Sequence, residues 1–277
     1  MASYNAISPD KLARLIGTPK APVIIDVRDD DDFAAAPSLL PSSIRKGHAD
    51  VEAWAAAYRD RCVVVACQRG LKLSEGVAAF LRLAGAQAEI LEGGFAAWQE
   101  ASLPLVPVKS LPQERAIGGT LWVTRSRPKI DRIACPWLIR RFVDPAARFL
   151  FVAPSEVGAV AERFAATPFD VEGVFWSHRG ELCSFDLMVD EFGLEFPALK
   201  NVARIVRGAD TNRPDLAPQA AGLLAISLGL SRTYADDLEQ LEVGMLVYDA
   251  LYRWARDATD EKHDWVSHTP RKRDDRG

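Results

Sequence analysis

The residues best placed for chemistry surround Cys67. There the apolar run Cys62-Val63-Val64-Val65-Ala66 ends, the loop Gln68-Arg69-Gly70-Leu71-Lys72 follows, and a helical stretch begins at Ser74. A β-branched run of this kind reads as a buried strand, and Gly70 permits a tight turn after it. The helix beyond the turn directs its first backbone N–H groups back at the sulfur. Those amides, with Arg69 and Lys72, favour thiolate over thiol, and the thiolate is the nucleophilic form. Cys62, inside the strand pattern, reads as a packing residue.

A second set of chemically capable residues lies far along the chain. His178, Cys183 and Asp186 fall within nine residues, and Asp210 follows a short apolar run that could bring it alongside. His178, Asp186 and Asp210 would suit iron, manganese or zinc with positions left open for substrate. The competing reading places His178 in a hairpin turn between 174–176 and 182–185, as a solvated hydrogen-bonding group. Arg125, Arg127, Lys129 and Arg132 form a basic cluster before a helix, with Thr124 and Ser126 as hydroxyl donors. Such a cluster could hold an oxyanion or be an exposed loop. Cys135 reads as packing, and Trp122 and Trp137 as core.

These groups need elements to position them. Strand patterns near 23–27, 62–66 and 87–91 alternate with helical patterns over 10–16, 50–58 and 74–84, which predicts a parallel sheet flanked by helices. Asp26 and Arg28 close the first strand as a structural pair, and the Asp29–Asp32 run reads as a solvated helix start. Three prolines in the nine residues 104–112 mark a boundary. The expected organisation is a domain over 1–107, a linker over 108–118, an α+β domain over 119–267 and a charged tail over 268–277. Each domain is expected to have its own core. Helical periods over 218–228 and 233–256, the latter with Leu238, Leu241, Met245, Tyr248 and Tyr252 on one face, belong to the second half.

Composition narrows the function classes. The 277 residues are 48% hydrophobic with a net charge of −4. Residues 1–107 carry 11 basic and 13 acidic side chains, and the remainder 23 and 25. No global basic excess or helix-turn-helix pattern points to nucleic acid. No apolar run approaches a membrane span and no signal peptide is visible, so the expected location is the cytoplasm. Four scattered cysteines make no disulfide framework.

Residues 1–107 resemble the rhodanese-like sulfurtransferases. The resemblance rests on Val23-Ile24-Ile25-Asp26-Val27-Arg28, on Leu91-Glu92-Gly93-Gly94-Phe95-Ala96-Ala97-Trp98, and on the six-residue loop Cys67 to Lys72. It implies a Cys67 persulfide, a loop of backbone amides that stabilises charge on sulfur, a small sulfur donor and a thiophilic acceptor. Related phosphatases carry Arg as the sixth residue after the cysteine; here that residue is Leu73. Lys72 stands where many thiosulfate-using relatives carry Arg, so a point charge replaces a bidentate fork.

Residues 119–267 resemble the C-terminal domain of the chromate-resistance B proteins. The segments that carry this resemblance are Thr124 to Phe142, Ser177-His178-Arg179-Gly180, Cys183-Ser184-Phe185-Asp186 and Ile205 to Thr211. It implies a role in chromate tolerance, and chromate, a dianion shaped like sulfate, becomes the ligand expected at Arg125, Arg127, Lys129 and Arg132. The combined expectation is a sulfurtransferase coupled to oxyanion detoxification. The alternative is a chromate-responsive regulator whose first half is a vestigial module.

Overall fold

The computed structural model describes residues 5–112 and 118–261. The tail expected over 268–277 and residues 113–117 of the expected linker lie outside the described residues.

In the first half the elements run β1 (Ala6–Ile7), α1 (Pro9–Leu15), β2 (Val23–Asp26), α2 (Asp30–Ala35), β3 (Ser38–Leu39), β4 (Ser43–Arg45), α3 (Val51–Trp54), β5 (Cys62–Ala66), α4 (Lys72–Leu83), β6 (Gln87–Leu91), α5 (Gly94–Glu100) and β7 (Val106–Pro107). Five of the strands form a parallel sheet in the order β1-β6-β5-β2-β4. Alternation along the strands divides their side chains between two faces. Ile25, Val63 and Val65 pack with Val51 of α3 and Val77, Ala78 and Leu81 of α4. Ile24, Val64 and Ala66 face the other way, toward Leu12 of α1 and Phe95 and Trp98 of α5. Both faces are therefore apolar, as a buried parallel sheet requires. The Asp29–Asp32 run is a helix start: the Asp29 carboxylate caps α2 by accepting from Asp32 N at 2.9 Å.

The second half comprises β8 (Leu121–Arg125), α6 (Asp131–Leu138), β9 (Arg148–Val152), α7 (Val157–Phe164), β10 (Thr167–Pro168), α8 (Ser184–Glu191), α9 (Pro197–Asp210), α10 (Ala220–Thr233) and α11 (Asp237–Asp257). Its small parallel sheet has the order β10-β8-β9. Trp137 of α6 is fully buried among Phe142, Phe185, Tyr248 and Tyr252. Its indole N–H donates to Asp249 Oδ1 at 2.8 Å, so the one polar atom of the ring is satisfied. Two sequence expectations change. Residues 184–191 are helical rather than the far strand of a hairpin, because Cys183 and Asp186 form a capping box. The helix expected from 233 begins at Asp237, where Asp236 caps it, and Leu238 is exposed.

Each half keeps a smaller apolar cluster of its own, but the two share a third. One buried apolar cluster runs from Ile24, Val64 and Trp98 through Phe142 and Phe196 to Tyr252. Phe142 is fully buried at this junction, and a Cβ added to Gly17 would come within 2.2 Å of its ring. Ser42 N donates to the Phe142 carbonyl at 2.7 Å, and Arg256 Nη1 donates to Arg14 O at 2.5 Å. The proline-rich segment is pinned as well: β7 pairs antiparallel with β3, and Trp98 Nε1 donates to Pro104 O at 2.9 Å. Since burying one aromatic side chain is worth about 1.5–3 kcal/mol, a junction of this size fixes the halves together. Among the described residues, no helix is long and apolar enough to cross a membrane.

Candidate functional site

Cys67 sits immediately after β5, buried at the floor of a pocket of about 1040 Å³ lined by Gln68, Arg69, Leu71, Lys72, Asp29 and Glu100 among others. The loop that holds it depends on two glycines. Gly70 and Gly94 have φ of +65° and +63°, and their backbones pack against each other: a Cβ on Gly94 would lie 2.2 Å from Cys67 O and 2.4 Å from Gly70 N. The first amides of α5 then clasp the loop, with Phe95 N donating to Cys67 O at 2.9 Å and Ala96 N to Gln68 O at 3.0 Å. This is the physical content of the Gly93-Gly94-Phe95 motif.

The thiol is tuned in two opposing directions. Burial pulls its pKa up, while the Ser74 hydroxyl and the backbone N–H groups of Leu71, Ser74 and Arg69 pull it down, and the net position is below the ordinary value of 9.0. The hydrogen bonds, rather than the Arg69 and Lys72 side chains, lead the stabilisation. Ser74 was not singled out from sequence; its Oγ is buried with no other partner. Cys135 and Cys183 are buried and pushed upward by that burial, which makes them poor nucleophiles. Iodoacetamide should therefore modify Cys67 with a midpoint below pH 9, because a lowered pKa leaves more thiolate at neutral pH. Replacing Ser74 with alanine should move that midpoint upward. An unchanged profile, followed by mass spectrometry of the Cys67 peptide, would remove Ser74 from this role.

Asp26 and Arg28 are structural, as expected. Arg28 Nη2 lies 2.6 Å from Asp26 Oδ2, and the guanidinium also donates to Ala36 O and Ser38 O. It stacks on the Phe95 ring at 3.7 Å, so the pair ties the loop before β3 to α5.

In the second half the residues that converge differ from those expected. His178 Nε2 lies 3.5 Å from Asp170 Oδ1, 3.6 Å from Asp131 Oδ2 and 3.2 Å from Asp210 Oδ2. Asp186 is elsewhere: it accepts from Cys183 N at 3.1 Å and pairs with Arg207 at 3.3 Å. Asp131 and Asp170 take its place, and neither stands at a spacing from His178 that a sequence rule would flag. Asp131 is fully buried at the start of α6, where its Oδ2 accepts from Ser184 N at 2.6 Å and Phe185 N at 3.3 Å, the first amides of α8. Burial, reinforced by Asp210 and Asp170, pushes its carboxyl well up. Asp170 and then Asp210 raise His178 to about 10.

The basic cluster divides. Arg125 Nη2 and Arg132 Nε approach Asp170 Oδ2 at 3.2 and 3.3 Å. Arg127 instead donates to the Ser231 and Tyr234 carbonyls and, through its backbone, to Asp237, clasping the corner between α10 and α11. Lys129 is exposed. A pocket of about 580 Å³ beside His178 is lined by Arg125 but also by Asp170 and Glu172, which is not the charge balance of a bare oxyanion site.

A cysteine cradled by backbone amides between a parallel strand and the next helix, closed by a Gly-Gly turn, defines the rhodanese-like class. Residues 8–101 match the family described as rhodanese-like domain, and residues 122–255 match the family described as ChrB, C-terminal domain. The first half of the chain is thus similar to the first family and the remainder to the second. It is 33% identical over 135 residues to Protein ChrB of Cupriavidus metallidurans, covering 48% of this chain and 40% of that protein. The chain thus spans well under half the length of this relative. Identity is 32% over 111 residues to the uncharacterized protein YibN of Escherichia coli, covering 38% of this chain and 74% of YibN. Among solved structures, a rhodanese-related protein from Thermoplasma volcanium is 27% identical with a TM-score of 0.32, covering 37% of this chain and 98% of that one.

Proposed function

We propose that this protein is a sulfurtransferase that carries sulfane sulfur on Cys67, acting in chromate tolerance. The observation that carries the reading is the buried Cys67 thiol with Ser74 and three backbone N–H groups lowering its pKa. In the forward step the thiolate attacks the outer sulfur of a donor such as thiosulfate or a persulfide. The donor S–S bond breaks, its electron pair leaves with sulfite or thiolate, and Cys67 becomes a persulfide anion held by the loop amides. An acceptor thiolate or cyanide then attacks the outer sulfur and regenerates the Cys67 thiolate. Lys72 and Arg69 at the pocket attract an anionic donor, while Asp29, Asp32 and Glu100 on the other wall oppose it. That balance favours a donor of low charge, such as a small persulfide, over thiosulfate.

The chromate-related part rests on the ChrB C-terminal domain match. The test is mass spectrometry of the Cys67 peptide after incubation with cysteine persulfide and, separately, thiosulfate. One added sulfur atom on that peptide, discharged by cyanide, is the expected result, with the persulfide the better donor. No added sulfur from either donor would favour the regulatory alternative with a vestigial first half.

A further inference from the structure

We propose that Asp131, Asp170 and His178, with Asp210 at the rim, form a site for a divalent transition-metal ion. Side-chain donor atoms of the first three lie within 4.8 Å of one another. Around His178 Nε2, the carboxylate oxygens of Asp210, Asp170 and Asp131 stand at 3.2, 3.5 and 3.6 Å. Ligands bound to one ion at about 2.0–2.2 Å, at tetrahedral or octahedral angles, are separated by about 3–3.6 Å. Each carboxylate oxygen thus stands from His178 Nε2 at the spacing of two ligands on one ion.

An independent observation points to a cation here. Asp131 Oδ1 is buried and has no hydrogen-bond partner, although Oδ2 of the same carboxylate accepts two amides of α8. A buried carboxylate oxygen left unanswered is costly, and the side chain has no route to solvent. The oxygen that faces His178 is Oδ2, so an ion bound through both oxygens of the Asp131 carboxylate would answer Oδ1.

The surroundings have the form of a metal site's outer shell. Asp170 Oδ1 accepts from Ser184 Oγ at 2.8 Å, while Arg125 and Arg132 hold its Oδ2. The backbone entering Asp131 is strained: Ile130, β-branched, has φ +35°. It is fixed by Ile130 N donating to Ser227 Oγ at 3.1 Å and by Tyr248 Oη donating to Ile130 O at 3.1 Å. The charge balance also leaves room for a dication. Three carboxylates face two guanidiniums, so before the imidazole is counted the cluster carries one net negative charge.

One imidazole with carboxylates and no thiolate suits manganese, iron(II) or zinc. His178 is 42% exposed and borders the pocket beside Arg125, so coordination positions remain open to water or an added ligand. The rival arrangement is an imidazolium that serves as the cluster's own cation. The two make opposite predictions for added metal.

The experiment uses the full-length protein stripped with a chelator, then titrated calorimetrically with manganese and with zinc, with thermal melts in parallel. Wild type should take up one equivalent and melt at rising temperature as the ion concentration increases. His178→Gln, at an exposed turn, should keep its fold and bind at least about a hundredfold more weakly, since even outer-shell losses cost 10–100-fold. Asp210→Asn should weaken binding less, and His48→Gln should match wild type. Asp131→Asn tests the buried ligand, and circular dichroism reports whether it folds; the His178 variant decides the matter if it does not. Failure of wild type to bind either ion, or binding by His178→Gln as tight as wild type, overturns the proposal.

Discussion

Cys67→Ser should reduce sulfur transfer to the uncatalysed background while leaving the melting temperature nearly unchanged. A serine hydroxyl stays protonated at neutral pH and is a far weaker nucleophile, yet it differs little in size from the thiol it replaces. The amide cradle from Arg69, Leu71 and Ser74 would remain, but with no sulfur to hold the transferred atom there is no intermediate. Cys62→Ser is the matched control, because Cys62 lies at the far end of β5, where its thiol donates to Gln87 Oε1 at 3.4 Å. Transfer from a persulfide donor to cyanide, measured on both variants beside wild type, separates the two cysteines. Equal rates in all three would mean that any activity comes from elsewhere.

Gly94→Ala should disable the same site without touching a reacting atom. The new methyl group would meet Cys67 O at 2.2 Å and Gly70 N at 2.4 Å, both backbone atoms that cannot swing aside. A φ of +63° adds a penalty of about 1–2 kcal/mol for an L-residue. The loop must therefore shift, and a displacement near 1 Å at a catalytic group costs about a hundredfold in rate. Gly76→Ala gives the opposite sign: it lies inside α4 with nothing within 4 Å of the added Cβ, so about 0.5–1 kcal/mol of stabilisation is expected. Denaturant melts and transfer assays on the pair read both effects. Near-wild-type activity in Gly94→Ala would show that the loop tolerates rearrangement.

The first half was legible because its signals are local. A β-branched strand, a glycine loop and a helix are contiguous around Cys67, and the Gly-Gly segment that supports them sits in a recognisable motif. Ser74 escaped notice because a serine in a helical pattern carries no sign that its hydroxyl faces a sulfur seven residues earlier in the chain. In the second half the converging side chains come from separate elements: Asp131 starts α6, Asp170 follows β10, His178 lies in a turn and Asp210 ends α9. Spacing rules see ligands on one element, so Asp186 looked better than Asp131, though it is occupied in capping α8. The common core was hidden for a related reason. Apolar periodicity shows that a face is buried and is silent about what covers it, so the outer face of the first sheet and the aromatic cluster around Phe142 looked like two cores.

That common core bears on how sulfur would leave a persulfide formed at Cys67. Carriers that pass a group between distant centres often rely on a swinging arm, with a loose tether letting one module visit another. Here Phe142 is wedged against Gly17 and the proline segment is paired as a strand, so no such excursion is open. Every residue lining the Cys67 pocket belongs to the first half, and the pocket opens outward. Under the proposed sulfur-carrying role, the expected route is delivery by courier: a small diffusible thiol collects the sulfur atom at Cys67 and carries it away through solvent.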